Sequence, residues 1–326
     1  MLLIVICLAG CHRKAKPDLD NPDEPEVCVD LSKYITMSAQ FSRDLAKFDP
    51  VYPEILYYIK TSYKTIDLDL HRTSNRIMQL FSYNLRTNSF SLILYSRGGQ
   101  IDTLTGGRQV DFGFKTFTPG PNEWILFQDN SRNIWKVKKD GTAMRKIREK
   151  ASGPSWNKDG TQILFYDQTT QKNTIMDLDG STKSVLNIGT SNLSFTGVNG
   201  VLVGLNGGSS QIFQYNADYQ SKTNTSTADP RSEFSDIGLL PNGYEAIVCQ
   251  PDWIIKWNLT DSTIKEYLRP NCNSRSYEMP NVSPDGNRVV FTKKCRDKLD
   301  AQYLIDKHDI YIMDIRCWRA KKLELP

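Results

Sequence analysis

Two stretches of this chain concentrate the residues that could do chemistry. One carries Asp67, Asp69 and His71, the other Asp306, His308 and Asp309. Two carboxyls at the right separation suffice for glycoside hydrolysis, one as general acid and the other as base or nucleophile. The same stretches hold Tyr63, Arg72 and Arg97, and Arg296, Asp297 and Tyr303. That mix of aromatic, basic and acidic side chains also suits simple recognition of a polar partner. Other chemistries lack their residue sets. No Gly-x-Ser-x-Gly nucleophile motif occurs. Gly106-Gly107 and Gly207-Gly208 are not followed by the Lys-Ser/Thr of a phosphate loop. Asp177-x-Asp179-Gly180 opens like a calcium loop but has no Glu at the twelfth position. The three histidines, His12, His71 and His308, are too few and too scattered for a cluster, and no Cys-x-x-Cys is present. No metal and no cofactor are expected.

The elements that must position these residues are strands. Short apolar cores recur at Ile55-Leu56-Tyr57, Ile125-Leu126-Phe127, Ile163-Leu164-Phe165, Val201-Leu202-Val203, Ala246-Ile247-Val248 and Val289-Val290-Phe291. Each is followed by an apolar residue joined to Asn, Asp or Lys: Tyr83-Asn84, Val137-Lys138, Met176-Asp177, Tyr215-Asn216, Trp257-Asn258 and Met313-Asp314. After a longer first interval the cores return about every 40 residues, the period of a four-stranded propeller blade. Asp159-Gly160, Asn199-Gly200, Asn242-Gly243 and Asp285-Gly286 precede cores and supply the positive φ of tight hairpins. The expectation is an all-β, six-bladed β-propeller of four-stranded antiparallel blades. Core and second marker lie close together in four copies but are about twice as far apart in the first and last. Those two insertions fall in the same strand connection and read as long loops. Ring closure makes the first and sixth blades neighbours, so the loops should lie side by side on one face, with the connection around 96–109 leaving beside them. Long loops on a rigid scaffold are where binding concentrates. The expected ligand contacts are Tyr63, His71, Arg72, Tyr303 and His308. The competing expectation is that the loops only staple the ring shut.

The segments PSWNKDGTQILFYDQTTQKNTIMDLDG, at 154–180, and PNVSPDGNRVVFTKK with DIYIMDI, within 280–315, resemble the repeat of TolB-type propellers. Weaker copies extend the resemblance over about residues 50–326. It implies a six-bladed propeller, in agreement with the count above. TolB proteins carry a separate α/β domain ahead of the propeller. Only about 50 residues precede the first strand core here, so that family's binding of Pal is not expected to carry over wholesale.

The 326 residues are 39 % hydrophobic and 24 % charged, with a mean hydropathy of −0.47, an ordinary globular profile. A net charge of +4 gives no case for nucleic acid. The densest basic stretch, Lys136 to Lys150, reads as a solvated blade edge, or alternatively as a contact for acidic glycan or lipid headgroups. The apolar run Leu2–Leu8 has the length of a signal-peptide core and ends in Leu8-Ala9-Gly10-Cys11, which resembles the bacterial lipobox. The resemblance implies cleavage before Cys11 and acylation of its thiol. The acidic, proline-bearing segment that follows suits a tether and resembles a surface-export signal of bacterial lipoproteins. The expected organisation is a signal peptide over 1–10, acylated Cys and tether over 11–30, and propeller over 31–326. Of seven cysteines, five then remain in an oxidising compartment. Strand ends allow Cys272–Cys295 or Cys249–Cys272, and Cys28–Cys317. The expected function is that of a monomeric, lipid-anchored envelope scaffold, periplasmic or surface-exposed, docking a protein or glycan. The alternative is a carbohydrate-active enzyme using the carboxylates of the two insertions.

Overall fold

The computed structural model describes residues 45–67, 72–96, 107–186, 193–196, 201–206, 209–215, 219, 222–227, 236–249, 254–261, 263–268, 274–298, 304–316 and 319–322. Among the described residues every strand belongs to one of six sheets, each built from consecutive strands. The first contains β1 (Leu45–Phe48), β2 (Ile55–Asp67), β3 (Arg72–Asn84), β4 (Ser89–Ser96) and β5 (Arg108–Val110). The second contains β6 (Phe114–Pro119), β7 (Trp124–Asp129), β8 (Ile134–Lys138) and β9 (Arg145–Arg148). The third contains β10 (Ala151–Trp156), β11 (Gln162–Asp167), β12 (Lys172–Asp177) and β13 (Thr182–Leu186). The fourth runs through β14 (Ser194–Phe195), β15 (Val201–Asn206), β16 (Ser209–Tyr215) and β17 (Lys222–Thr227). The fifth runs through β18 (Asp236–Leu239), β19 (Glu245–Cys249), β20 (Ile254–Asn258) and β21 (Ile264–Leu268). The last holds β22 (Ser274–Val282), β23 (Arg288–Lys298), β24 (Leu304–Asp314) and β25 (Arg319–Lys322). The architecture is an all-β propeller. One detail departs from the four-stranded expectation: β5 adds to β4 in parallel, with Leu94 opposite Arg108, and covers the outer edge of the first sheet.

Each apolar core of the sequence is the centre of a second strand. It is apolar throughout because both faces of that strand are buried. Side chains alternate faces along a strand, so successive residues enter different interfaces. Leu56 and Tyr58 pack with Val290 and Ile312 of the last sheet, whereas Tyr57 and Ile59 pack with Phe117 and Phe127 of the second. In the third sheet, Ile163 and Phe165 join Leu126 of the second, and Leu164 joins Leu202 of the fourth. Ala246 and Val248 pack with Val201 of the fourth sheet, while Ile247 and Cys249 meet Val289 and Phe291 of the last.

The turns follow from local chemistry. Gly160 and Gly286 both sit at φ 72°, and both lie under a proline of the preceding sheet, Pro121 and Pro241. The flanking Asp159 accepts the N–H and hydroxyl of Thr161. The second marker closes the next turn: Asn84 accepts the N–H groups of Arg86 and Thr87, and Asp314 that of Arg316.

Sheets are also joined along their first strands. Asn281 Oδ1 accepts the Phe48 N–H at 2.7 Å, Ser155 Oγ accepts the Phe195 N–H at 2.9 Å, and Thr118 Oγ1 donates to the Pro154 carbonyl at 3.0 Å. Asn281→Ala should therefore cost about 1–2 kcal/mol by stranding a backbone donor at the junction of first and last sheets. A lower urea midpoint at unchanged slope would show it; an unchanged midpoint would contradict it.

Candidate functional site

The two insertions are not loops. The second and third strands have 13 residues each in the first sheet and 11 each in the last. In the other four sheets these strands have 5 to 7. β2 and β3 pair in one unbroken register from Ile55 opposite Asn84 to Asp67 opposite Arg72. β23 and β24 do the same from Arg288 opposite Asp314 to Lys298 opposite Leu304. Both insertions are thus hairpin arms that continue the sheet. The first and last sheets share a core, and equivalent strands in a propeller run the same way, so both arms leave at the same end of neighbouring sheets. Beyond Ile59 the first arm extends roughly 25 Å at about 3.3 Å per residue.

Three of the five expected contacts fall on these arms. Tyr63 lies in β2 opposite Arg76, Arg72 opens β3 opposite Asp67, and His308 lies in β24 opposite Lys294. His71 and Tyr303, in the turns, lie outside the described residues, as do Asp69, Cys11, Cys28, Cys272 and Cys317. The register sets Asp67 opposite Arg72, Asp306 opposite Arg296 and Asp309 opposite Lys293. Cys249 is fully buried in the apolar core between the fifth and last sheets. Cys295 lies in β23, opposite Ser274 on one side and Lys307 on the other. The paired character of the arms was visible in the run Lys-Thr-Ser-Tyr-Lys-Thr-Ile-Asp, residues 60–67, whose β-branched content favours a strand.

The basic stretch of the second sheet is largely engaged by its own fold. Lys138 pairs with Glu123 at 3.1 Å, Lys146 with Glu149 at 2.5 Å and Arg148 with the buried Asp167 at 2.6 Å. Lys136, buried, sits 4.4 Å from the Trp124 ring centre, and burial pulls its pKa down. Lys139 reaches across to the first sheet, where its ammonium lies 2.5 Å from buried Asp49. Asp49 also accepts the Tyr57 hydroxyl at 3.2 Å; burial, then the Asp49 charge and hydrogen bond, drive the phenol pKa upward. Asp179, the centre of the calcium-like string, accepts the N–H and hydroxyl of Ser181 within its own turn.

With fold and arms described, the class is a β-propeller. No family model matches the sequence, and no curated protein matches it. Among solved structures, a TolB protein from Agrobacterium tumefaciens, described as putative, superposes with a TM-score of 0.54 at 12 % identity, over 75 % of this chain and 87 % of that one. The C-terminal WD40 domain of Sif2 gives 0.48 at 12 %, over 85 % and 83 %. The tricorn protease gives 0.38 at 14 %, over 83 % of this chain but 25 % of that one. At 12 % identity the likeness to the TolB structure is one of fold alone, a β-propeller.

Asp167 supplies a pH-dependent test of the junction between the second and third sheets. Burial raises its pKa, but the Arg148 ion pair and the N–H groups of Thr169 and Thr170 outweigh burial and lower it. A depressed folded pKa contributes stability that is full above about pH 4 and fades as pH falls through the folded value. Asp167→Asn should flatten the acid limb of a plot of Tm against pH. An acid limb as steep as in the parent would exclude this role.

Proposed function

We propose that this chain is a six-bladed, monomeric binding propeller, anchored in a bacterial envelope through acylated Cys11, that docks a protein or glycan across its two hairpin arms. One observation carries the reading: of all the sheets, the two lengthened in the same strand connection are the two that ring closure makes neighbours. A chain that needed only to close its ring already has the Phe48–Asn281 hydrogen bond, the bond from Arg288 to the Pro53 carbonyl at 2.7 Å, and the shared apolar core. The arms exceed that need. The cross-strand placement of Asp67, Asp306 and Asp309 opposite cations favours recognition over the paired free carboxyls that glycosidase chemistry uses. The six-blade count rests on six sheets that succeed one another through shared cores. The anchor rests on Leu8-Ala9-Gly10-Cys11; two acyl chains suffice for stable attachment at about 0.8 kcal/mol per buried CH₂.

Residues 62–77 and 294–308 can each be replaced by Asn-Gly, which closes the cross-strand pairs Thr61–Met78 and Lys293–Asp309 with a two-residue hairpin turn. The trimmed chain should keep the parent Tm within a few degrees and lose the partner that the full chain crosslinks in its native envelope. A trimmed chain that still crosslinks the same partner refutes the arm site. Separately, Cys11→Ala should move the protein from the membrane to the soluble fraction; wild-type membrane retention of that variant would refute the anchor.

A further inference from the structure

The turn between β8 and β9 is pressed against the first sheet. Gly141 permits this: its φ is 84°, and a Cβ there would lie 2.8 Å from the Ile93 carbonyl oxygen. The Lys139 N–H is fixed on the Glu123 carbonyl at 2.8 Å. From that seat the Lys139 side chain enters the first sheet, with Nζ 2.5 Å from Asp49 Oδ2. Asp49 is 1 % exposed, and Tyr57 beside it is buried as well. The second carboxyl oxygen, Oδ1, accepts two main-chain N–H groups, from Val51 at 2.9 Å and Tyr52 at 3.1 Å. The Tyr57 hydroxyl donates to Oδ2 at 3.2 Å. An amine is thus held against a buried carboxyl whose two oxygens have different surroundings.

From this arrangement we propose that Lys139 and Asp49 condense into an isopeptide bond that joins the first and second sheets covalently. The ammonium first passes a proton to Oδ2, which leaves a neutral amine and a carboxylic acid. Burial favours this neutral pair, because charged groups lose their hydration there. Nζ then bonds to Cγ, and negative charge develops on Oδ1. The N–H groups of Val51 and Tyr52 already point at that oxygen and receive the charge. Oδ2 leaves as water, taking its second proton from Tyr57, which regains one from Nζ. One ammonium and one carboxylate are consumed; one amide and one water are formed. In free solution that condensation is uphill, but fixed neighbours react at effective concentrations of about 10⁵–10⁸ M. The Lys138–Glu123 and Lys146–Glu149 pairs lack these conditions, since their carboxylates are 58 % and 67 % exposed. The bond closes a loop from residue 49 to residue 139 and fixes the sheet that bears the first arm to its neighbour.

Mass spectrometry of the purified full chain, denatured and digested, reads the bond directly. A branched peptide carrying both Asp49 and Lys139 should appear, lighter by one water than its two parts. Lys139→Arg keeps a cation beside Asp49 but removes the amine, so its digest should contain the two parts separately at full mass. Tyr57→Phe should form the branched peptide at least about tenfold more slowly after synthesis, through loss of the proton relay. A parent digest holding only the two separate, full-mass peptides overturns the proposal. So does loss of water from the Asp49 peptide that persists in Lys139→Arg, because the carboxyl has then reacted with another group. Should Lys139→Arg fail to fold, the parent digest alone decides. An unchanged rate in Tyr57→Phe overturns the role given to the phenol.

Discussion

A propeller sheet has an inner edge that no further strand can pair. Its backbone donors and acceptors must be satisfied some other way, or each costs roughly the price of an unmade hydrogen bond. Here the side chains of one sheet serve the inner strand of the next. Gln128 and Thr118, in the second sheet, accept the Gly153 N–H and donate to the Pro154 carbonyl in the third. Ser155 of the third accepts from Phe195 of the fourth, and Asn281 of the last accepts from Phe48 of the first. Thr118, Ser155 and Asn281 occupy equivalent places, opposite Leu126, Leu164 and Val290 at the centres of their second strands. Where the fifth sheet meets the last, the equivalent residue is Gly238, and a Cβ there would lie 2.8 Å from the Pro280 carbonyl oxygen. The inner strands approach closely there because no side chain stands between them.

This constraint explains the bulges. The third and last sheets each carry an extra residue on the inner strand, opposite Phe165 and Phe291, and each places a residue with positive φ before a proline: Gly153 at 63° and Met279 at 55°. The bulge frees the strand from strict alternation, so that the following Ser155 or Asn281 can address the neighbouring sheet. Proline removes one inner-edge donor that would otherwise need a partner. With the inner edges satisfied and second strands buried on both faces, the body is fixed. The arms begin where that burial ends. Thr61 and Met78, a cross-strand pair, are each 1 % exposed, and the residues beyond them change from apolar to mostly polar.

How far the sequence revealed this depends on the kind of signal. Strand cores such as Ile163-Leu164-Phe165 were legible because burial on both faces demands unbroken apolar runs. Turns such as Asp159-Gly160 were legible because backbone geometry demands glycine. The arms were located but taken for loops. Their interval exceeded that of a blade, and residues 60–67 lack the apolar alternation that a packed strand shows. β5 left no trace: a three-residue parallel addition, Arg-Gln-Val, is decided by the edge it meets rather than by its own pattern. The polar links were equally hidden. Ser155 and Asn281 look like any surface residue until register sets them opposite Leu164 and Val290.

The lysines and arginines along the arms answer a demand of the backbone. Past Ile59 and Gln79 no described strand pairs with the first arm, and an uncovered ribbon edge tends to pair with another strand; lysine on an edge is the common defence. The last arm is covered on its inner side by β22 as far as Cys295. Like charges on neighbouring ribbons oppose their pairing within about 8 Å, the range over which charges act at physiological ionic strength. The sheets beneath are held without the arms, because Asn281, Arg288 and the shared apolar core already join the first and last blades.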